Sequence, residues 1–321
     1  MAFIKSRCMR FCICIVGLMM IHCAAITEMR QASIAKGPEF TPFAGHKRRI
    51  AIIPFENLTE NGGEKLGERV ADMLTTPLTN SGRFIILERQ EIDRILSEQA
   101  FGQSGAITEE TSVRAGQLLG VEAIVLGDIT EFDQKSGKED IESEKKKWSL
   151  TLQATVANVN LNYRLVNTCT GEVLFSGHAH HTEVRPGFGI KTEEYDFSDL
   201  FQLDQTLLGT ALRGAVNKAA LDISDKSEVI PWRGKIIRVF DEYVYFTPGR
   251  NAQIMLNELF DVLEAENIEF EMNDSEVPET DAMKPEPKAI VRVVSFIGEK
   301  VSKALILQGG DIEIGDLIGE R

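Results

Sequence analysis

Thiols are scarce in this chain. Five cysteines occur in 321 residues, and four of them (Cys8, Cys12, Cys14 and Cys23) fall among the first 25. Cys169 alone is certain to survive processing, so an internal disulfide framework is excluded. Its position before Thr170-Gly171 reads as a turn edge. A long apolar run is missing too: Phe11 to Ile21 is far short of the ~20 residues that cross a bilayer as a helix. Basic residues are outnumbered, with 35 Lys and Arg against 49 Asp and Glu and a formal net charge of -14. That balance disfavours nucleic acid and anionic lipid surfaces as partners. No G-x-S-x-G nucleophile motif occurs, and Cys169 has no motif partner.

The start of the chain reads as an export signal. Lys5, Arg7 and Arg10 form a basic head, Phe11 to Ile21 an apolar stretch, and Cys23-Ala24-Ala25 a processing site. Cleavage after Ala25 is one outcome. The other is lipidation of Cys23 as the first mature residue, which tethers a protein without spanning the membrane. Residues 26–47 mix Gly, Pro, Ala and Thr without a period and read as a tether.

Beyond the tether, an apolar strand at Ile50 to Phe55 leads into a polar loop with Gly62 and Gly63. Leu66, Val70, Met73 and Leu74 keep the spacing of a buried helical stripe. Pro77 removes a hydrogen bond to the Met73 carbonyl and predicts a kinked or shortened helix. A short strand follows at Phe84 to Leu87. Ile92, Ile95 and Leu96, then Val113, Leu118 and Leu119, suggest two more helices. A strand at Ala123, two long strands and a helix at Leu203 to Ile223 complete an α+β layered unit over residues 48–226. A second, all-β unit over residues 229–321 is predicted from a hairpin (Trp232 to Val239, Tyr243 to Phe246). Its further strands are Leu259 to Leu263, Ala289 to Val294, Ala304 to Leu307 and Ile312 to Ile318. Glu264 to Lys288, acidic and with Pro278, Pro285 and Pro287, reads as a long solvated loop.

Arg49 to Gln90, with Ile50-Ala51-Ile52 running into Pro54-Phe55, Asn57 and Thr59, the helix end through Ser81-Gly82-Arg83-Phe84 and the step Leu87-Glu88-Arg89-Gln90, resembles the family of the curli secretion channel, CsgG. Ala123 to Phe132, Arg164 to Thr168 and Thr170 to Leu174 extend the likeness to roughly Arg48–Ser224. The resemblance implies a protein with no active site and no cofactor, acting by assembly into a homo-oligomeric ring at the outer membrane. Each subunit would donate two β-hairpins to a shared barrel. Partners would be exported protein subunits or periplasmic assembly factors, with anchoring through Cys23. The pore-narrowing loop of that family corresponds here to Glu56, Asn57, Leu58, Thr59, Glu60 and Asn61, a short loop with no aromatic residue. The second unit resembles the C-terminal small barrel of the flagellar assembly protein FlgT, chiefly through Ile314-Gly315-Asp316-Leu317-Ile318. Asn257-Glu258 stands where that family has Gly-Asp, and fits a β-turn.

Two patterns invite chemistry. Gly62 to Arg69 imitates a phosphate loop, but Glu68 and Arg69 stand where the lysine and hydroxyl are required, so a flexible helix start is predicted. His178, His180 and His181 place two imidazoles on one strand face, without further ligands at zinc spacing. The reading is a surface ladder of histidines and no metal.

Lipid-facing arms need ~9–11 alternating residues. Trp148, Leu150, Leu152, Ala154 and Val156 meet that pattern and are the candidate membrane strand. The apolar phase then switches to Ala157, Val159, Leu161, Tyr163 and Leu165, for which a bulge near Val156-Ala157 is expected. Thr130 to Lys147 carries charge in both phases, and Val184 to Gly187 is expected to interrupt a second hairpin. These features favour the alternative of a non-inserting, periplasmic or lipid-tethered scaffold of the same fold.

Overall fold

The computed structural model describes residues 37–63, 65–87, 120–143, 148–187, 206–264 and 287–321. The alternating and apolar runs become strands β1 (Arg48–Ile52), β2 (Glu56–Asn57), β3 (Phe84–Leu87), β4 (Ala123–Ser143), β5 (Trp148–Asn167) and β6 (Val173–Gly187). They form one mixed sheet in the order β3-β1-β4-β5-β6, with β2 set beside β4. Helices α1 (Leu66–Asn80) and α2 (Leu207–Asp225) cover one face. Ile50, Val125, Ile129, Phe132, Val159, Leu161 and Leu165 pack there against Val70, Leu74 and Leu78 of α1 and Leu208, Leu212, Ala215 and Ile223 of α2. Each such Leu or Ile contributes ~1.5–3 kcal/mol when fully buried. Thr206 caps α2 by accepting from the Gly209 N–H at 3.0 Å, which is why that helix starts at Leu207 and not at Leu203.

Several expectations are revised. α1 runs three residues past Pro77, whose ring is buried, so the helix is not shortened there. No bulge lies at Val156-Ala157, where β5 pairs continuously with both neighbours; the irregularity sits in β4 between Ile129 and Glu131. Because β5 pleats without interruption, Ala157, Val159 and Leu161 face the helices while Ala154 and Val156 fall on the opposite side. Nor does Val184 to Gly187 break β6: Pro186 pairs with Ala154 and Gly187 with Gln153. Proline is tolerated there because β6 ends the strand order and needs no donor toward a further strand among the described residues. The helices expected around Ile92 and Val113, and the step Glu88-Arg89, lie outside the described residues.

The C-terminal unit is a closed six-stranded barrel, in the order β10-β11-β8-β7-β12-β9. Its strands are β7 (Arg233–Phe240), β8 (Tyr243–Thr247), β9 (Leu259–Leu263), β10 (Ala289–Ile297), β11 (Val301–Gly309) and β12 (Leu317–Glu320). Trp232, Phe246, Phe260, Val262 and Ile318 fill its interior. The expected strand at Ile312 starts only at Leu317. Gly315 takes φ +108, which ends extended pairing, and buried Asp316 accepts from the Glu313 N–H at 2.9 Å and holds Lys288 at 3.4 Å. Asn257 takes φ +66 in the expected turn. The chain is therefore an α+β layered unit followed by a small all-β barrel.

Candidate functional site

The loop after β1 is built from its own polar side chains. Asn57 donates from Nδ2 to the Asn61 carbonyl (2.8 Å) and the Gly63 carbonyl (3.1 Å), and its Oδ1 accepts from the Thr59 hydroxyl (2.8 Å). Asn61 donates to the Phe132 carbonyl at 3.1 Å, and the Leu58 N–H to Ile129 at 3.1 Å, docking the loop on β4. Glu56 and Asn57 pair with Asp128 and Ile129. Glu60 and Leu58 are exposed, Leu58 to 59%. The candidate constriction loop is thus a fixed knot at the root of the long hairpin.

Its glycines explain the imitation phosphate loop. Gly62 turns at φ +83 and has no room for a Cβ beside Leu66. A Cβ on Gly67 would lie 1.7 Å from the Phe55 carbonyl oxygen. The six-residue spacing therefore records a turn and a close helix–strand approach.

β4 and β5 pair without a break from Glu131↔Asn160 to Ser143↔Trp148, which makes one long hairpin. The register sorts its residues. Trp148, Leu150, Leu152, Ala154 and Val156 oppose Ser143, Ile141, Glu139, Gly137 and Lys135; the intervening Ser149, Thr151 and Gln153 oppose Glu142, Asp140 and Lys138. Nearer the root, the face away from the helices carries three polar rows: Asp128–Asn162–His178, Glu131–Asn160–His180 and Asp133–Asn158–Thr182. Asn162 donates to Asp128 at 2.8 Å, and the Thr182 hydroxyl donates to Asn158 at 2.9 Å. A shallow hollow of about 380 Å³ lies over Asp128, Asn162, Arg164, Ser176 and His178.

His178 and His180 share this face as expected. His181 turns to the helix side, where it is buried 3.4 Å from Glu183 and lies flat over Gly214. Among the described residues no group of three His, Cys, Asp or Glu is arranged to hold a metal ion. Cys169 sits in the β5–β6 turn, half-buried, its N–H bonded to Asn167 Oδ1. Cys23 lies outside the described residues.

Sequence reading missed a joint between sheet and barrel. His46 Nδ1 lies 2.7 Å from Glu320 and its Nε2 3.0 Å from Glu258, with the ring against Trp232 and Phe260. Arg48 donates to the Ile230 carbonyl at 2.9 Å and to Glu320 at 3.1 Å. Buried Glu122 at the head of β4 accepts from the Arg49 backbone N–H and from Arg49 Nε (3.3 Å), while the Arg49 guanidinium donates to the Arg233 carbonyl at 2.8 Å. Burial pushes the Glu122 carboxyl up to about 7, against the pull of Arg49. Burial alone would lower the His46 value, but its bonds to Glu320 and Glu258 raise it overall. A His flanked by distant glutamates leaves no sequence signature.

The family model of the curli production assembly/transport component CsgG matches residues 32–234. A candidate lipoprotein of Neisseria meningitidis serogroup B is 29% identical over 192 residues, covering 55% of this chain and 77% of that protein. Among solved structures, lipoprotein GNA1162 of N. meningitidis is 19% identical, covering 54% of this chain and 98% of that one, with a TM-score of 0.30. The PelC dodecamer of Paraburkholderia phytofirmans is 12% identical, covering 59% and 94%, with a TM-score of 0.29. Likenesses of that extent say nothing about assembly. No described helix is long and apolar enough to cross a membrane, which leaves β-strand insertion open.

Proposed function

The chain belongs to the family of the curli production assembly/transport component CsgG, and from that premise we propose that it acts without catalysis, as an outer-membrane-associated component of curli-type protein assembly or secretion. Subunits associate into a ring, exported from the cytoplasm and anchored through Cys23, and handle exported protein subunits or periplasmic assembly factors. Residues 48–226 form the ring unit and residues 229–321 a separate recruiting unit. The observation that carries this reading is the β4–β5 register. In part of its length it alternates apolar-set pairs (Leu150–Ile141, Ala154–Gly137) with polar pairs (Ser149–Glu142, Thr151–Asp140), as the strands of a membrane arm do. In this reading Glu56 to Asn61, fixed at the hairpin root, faces the lumen.

A specific observation supports a second reading. The apolar set also contains Leu152–Glu139 and Val156–Lys135, and the hairpin root is sheathed in Asp, Asn and His. A ring of such hairpins is costly in hydrocarbon, and a lipid-tethered scaffold that never inserts avoids the cost. Detergent extraction followed by negative-stain imaging separates the readings. A ring with a protruding barrel supports the first; a ring without one, or a monomer, supports the second and sinks the first.

A further inference from the structure

We propose that the outer face of β7, β8 and β11 in the C-terminal barrel is a docking surface for an extended, acidic and partly apolar peptide segment of a partner protein. The register places Arg238, Tyr245 and Lys303 in one cross-strand row and Phe240, Tyr243 and Leu305 in the next. Alternate residues Ile236, Val244, Phe246 and Ala304 point inward and are fully buried, so these two rows lie on the outside. A bulge at Ile237 turns a further apolar side chain outward; Ile237 is 44% exposed, Phe240 52%.

Two of the cations on this face are held by rings. Lys303 Nζ sits 3.8 Å above the Tyr243 ring and 5.8 Å from that of Tyr245, and the Arg238 guanidinium 5.4 Å from Phe240. Three other cations of the barrel meet carboxylates: Lys288 with Asp316, Arg250 with Glu299, Arg321 with Asp261. Among the described residues, Lys235, Arg238 and Lys303 have no such partner, in a chain carrying 14 more acidic than basic residues. An aromatic ring steadies a cation without neutralising it, so these ammonium and guanidinium groups keep donors for an incoming anion.

The same geometry selects the partner. Tyr243 and Phe240 already carry a cation on one ring face, which leaves poor platforms for stacking sugars. Three cations on a short barrel face give no long track for a nucleic acid backbone. Carboxylates spaced along a strand, with apolar side chains between them to meet Ile237 and Phe240, fit both features. Asp241 and Glu242 in the β7–β8 turn repel an anion and bound the surface at that end.

The test uses the full processed chain and, by calorimetry, a synthetic peptide of about ten residues alternating Glu with Leu or Phe, long enough to cross the face. The wild type should bind it, more weakly as salt rises, and not its Lys-for-Glu counterpart. Arg238→Glu with Lys303→Glu should weaken binding at least ~10-fold, about 1.4 kcal/mol, with the wild-type circular dichroism. If that pair unfolds, Lys235→Glu with Arg238→Gln, both at exposed positions, must give the same loss. The proposal is overturned if the wild type does not bind the acidic peptide, or if charge reversal leaves binding unchanged. It is equally overturned if heparin or anionic lipid vesicles, and not the peptide, depend on these residues.

Discussion

His46 meets Glu320 across 274 residues of sequence, its Nδ1 2.7 Å from the carboxylate, and so ties the lead-in of the first strand to the last strand of the barrel. Its other nitrogen lies 3.0 Å from Glu258. A neutral imidazole has one donor and one acceptor, so only the doubly protonated ring can donate to both carboxylates. Glu258 in turn accepts from the Met255 N–H at 2.9 Å, so one proton on His46 organises two barrel segments.

Stability should therefore depend on pH. The raised His46 value means that the folded protein holds this proton more tightly than the unfolded chain, which titrates near 6.5. Its contribution is complete below 6.5 and is lost as pH climbs through the folded value. Glu320 is lowered, first by its bond to His46, so its contribution is present above 4.5 and lost as pH falls. Glu122 runs against the usual carboxylate: raised to about 7, it subtracts stability as pH rises from 4.5 to about 7. Melting temperature should peak at mildly acidic pH and decline as pH rises, from 4.5 toward about 7 through Glu122 and further above 6.5 through His46. His46→Ala should remove part of that fall and Glu122→Gln another part. A profile unchanged in both variants would sink the assignment.

The same joint bears on the proposed division of the chain. Cleavage between Asp225 and Val229 should leave two folded pieces, but the isolated barrel loses His46 and Arg48 and with them the neighbours of Glu320. We expect it to melt below the barrel transition of the intact chain. An unfolded Trp232–Arg321 piece would show the division to be wrong.

Gly67→Ala should be among the most damaging single changes. The added carbon would overlap the Phe55 carbonyl oxygen, a backbone atom that cannot move without shifting the loop. Overpacking typically costs about 1–3 kcal/mol, and backbone contact places this case at or above the top of that range. Urea unfolding measures it. Gly63→Ala, with open space around the position, should cost less, through its φ of +66 alone.

Strands and helices were legible wherever local pattern decides them: the stripe of Leu66, Val70 and Leu74, the alternation from Ala157 to Leu165, the hairpin from Arg233. Pairing was not. Read along the chain, Lys138 to Glu142 is a run of mixed charge; only the register shows Asp140 and Glu142 opposing Thr151 and Ser149 while Glu139 opposes Leu152. The bulge was misplaced for a related reason: an apolar phase change in β5 needs no extra residue when the two apolar sets fall on opposite faces of an unbroken strand. Sequence also gave no hint of the His46 joint, because charge pairs hundreds of residues apart have no period.

Anchoring is a separate expectation. If the hairpin does not insert, Cys23→Ala should release the processed protein from the membrane fraction, since the acyl anchor supplies ~0.8 kcal/mol per buried methylene. Mass spectrometry should find a lipid-modified N-terminus in the wild type. An unmodified N-terminus at Ile26 would establish simple export.

The channel question rests on Leu152. In the observed register it opposes Glu139, so Leu152→Arg sets an opposite charge across from the glutamate. In a water-exposed hairpin that pair is harmless or mildly stabilising, by about 0.2–1 kcal/mol. At a bilayer midplane the arginine costs ~2–4 kcal/mol in every subunit, more than such a pair returns. The two readings thus predict opposite results from one substitution. If the hairpin inserts, the wild type conducts ions across planar bilayers, and the variant folds by circular dichroism but neither assembles in membranes nor conducts. If it does not insert, wild type and variant are both silent in bilayers and assemble alike, with the variant melting no lower. Val159→Arg is the control: Val159 is fully buried against the helices, so it should unfold the soluble unit under either reading. The charged partners of Leu152 and Val156 incline the balance toward the silent outcome, and conductance abolished by Leu152→Arg would reverse it.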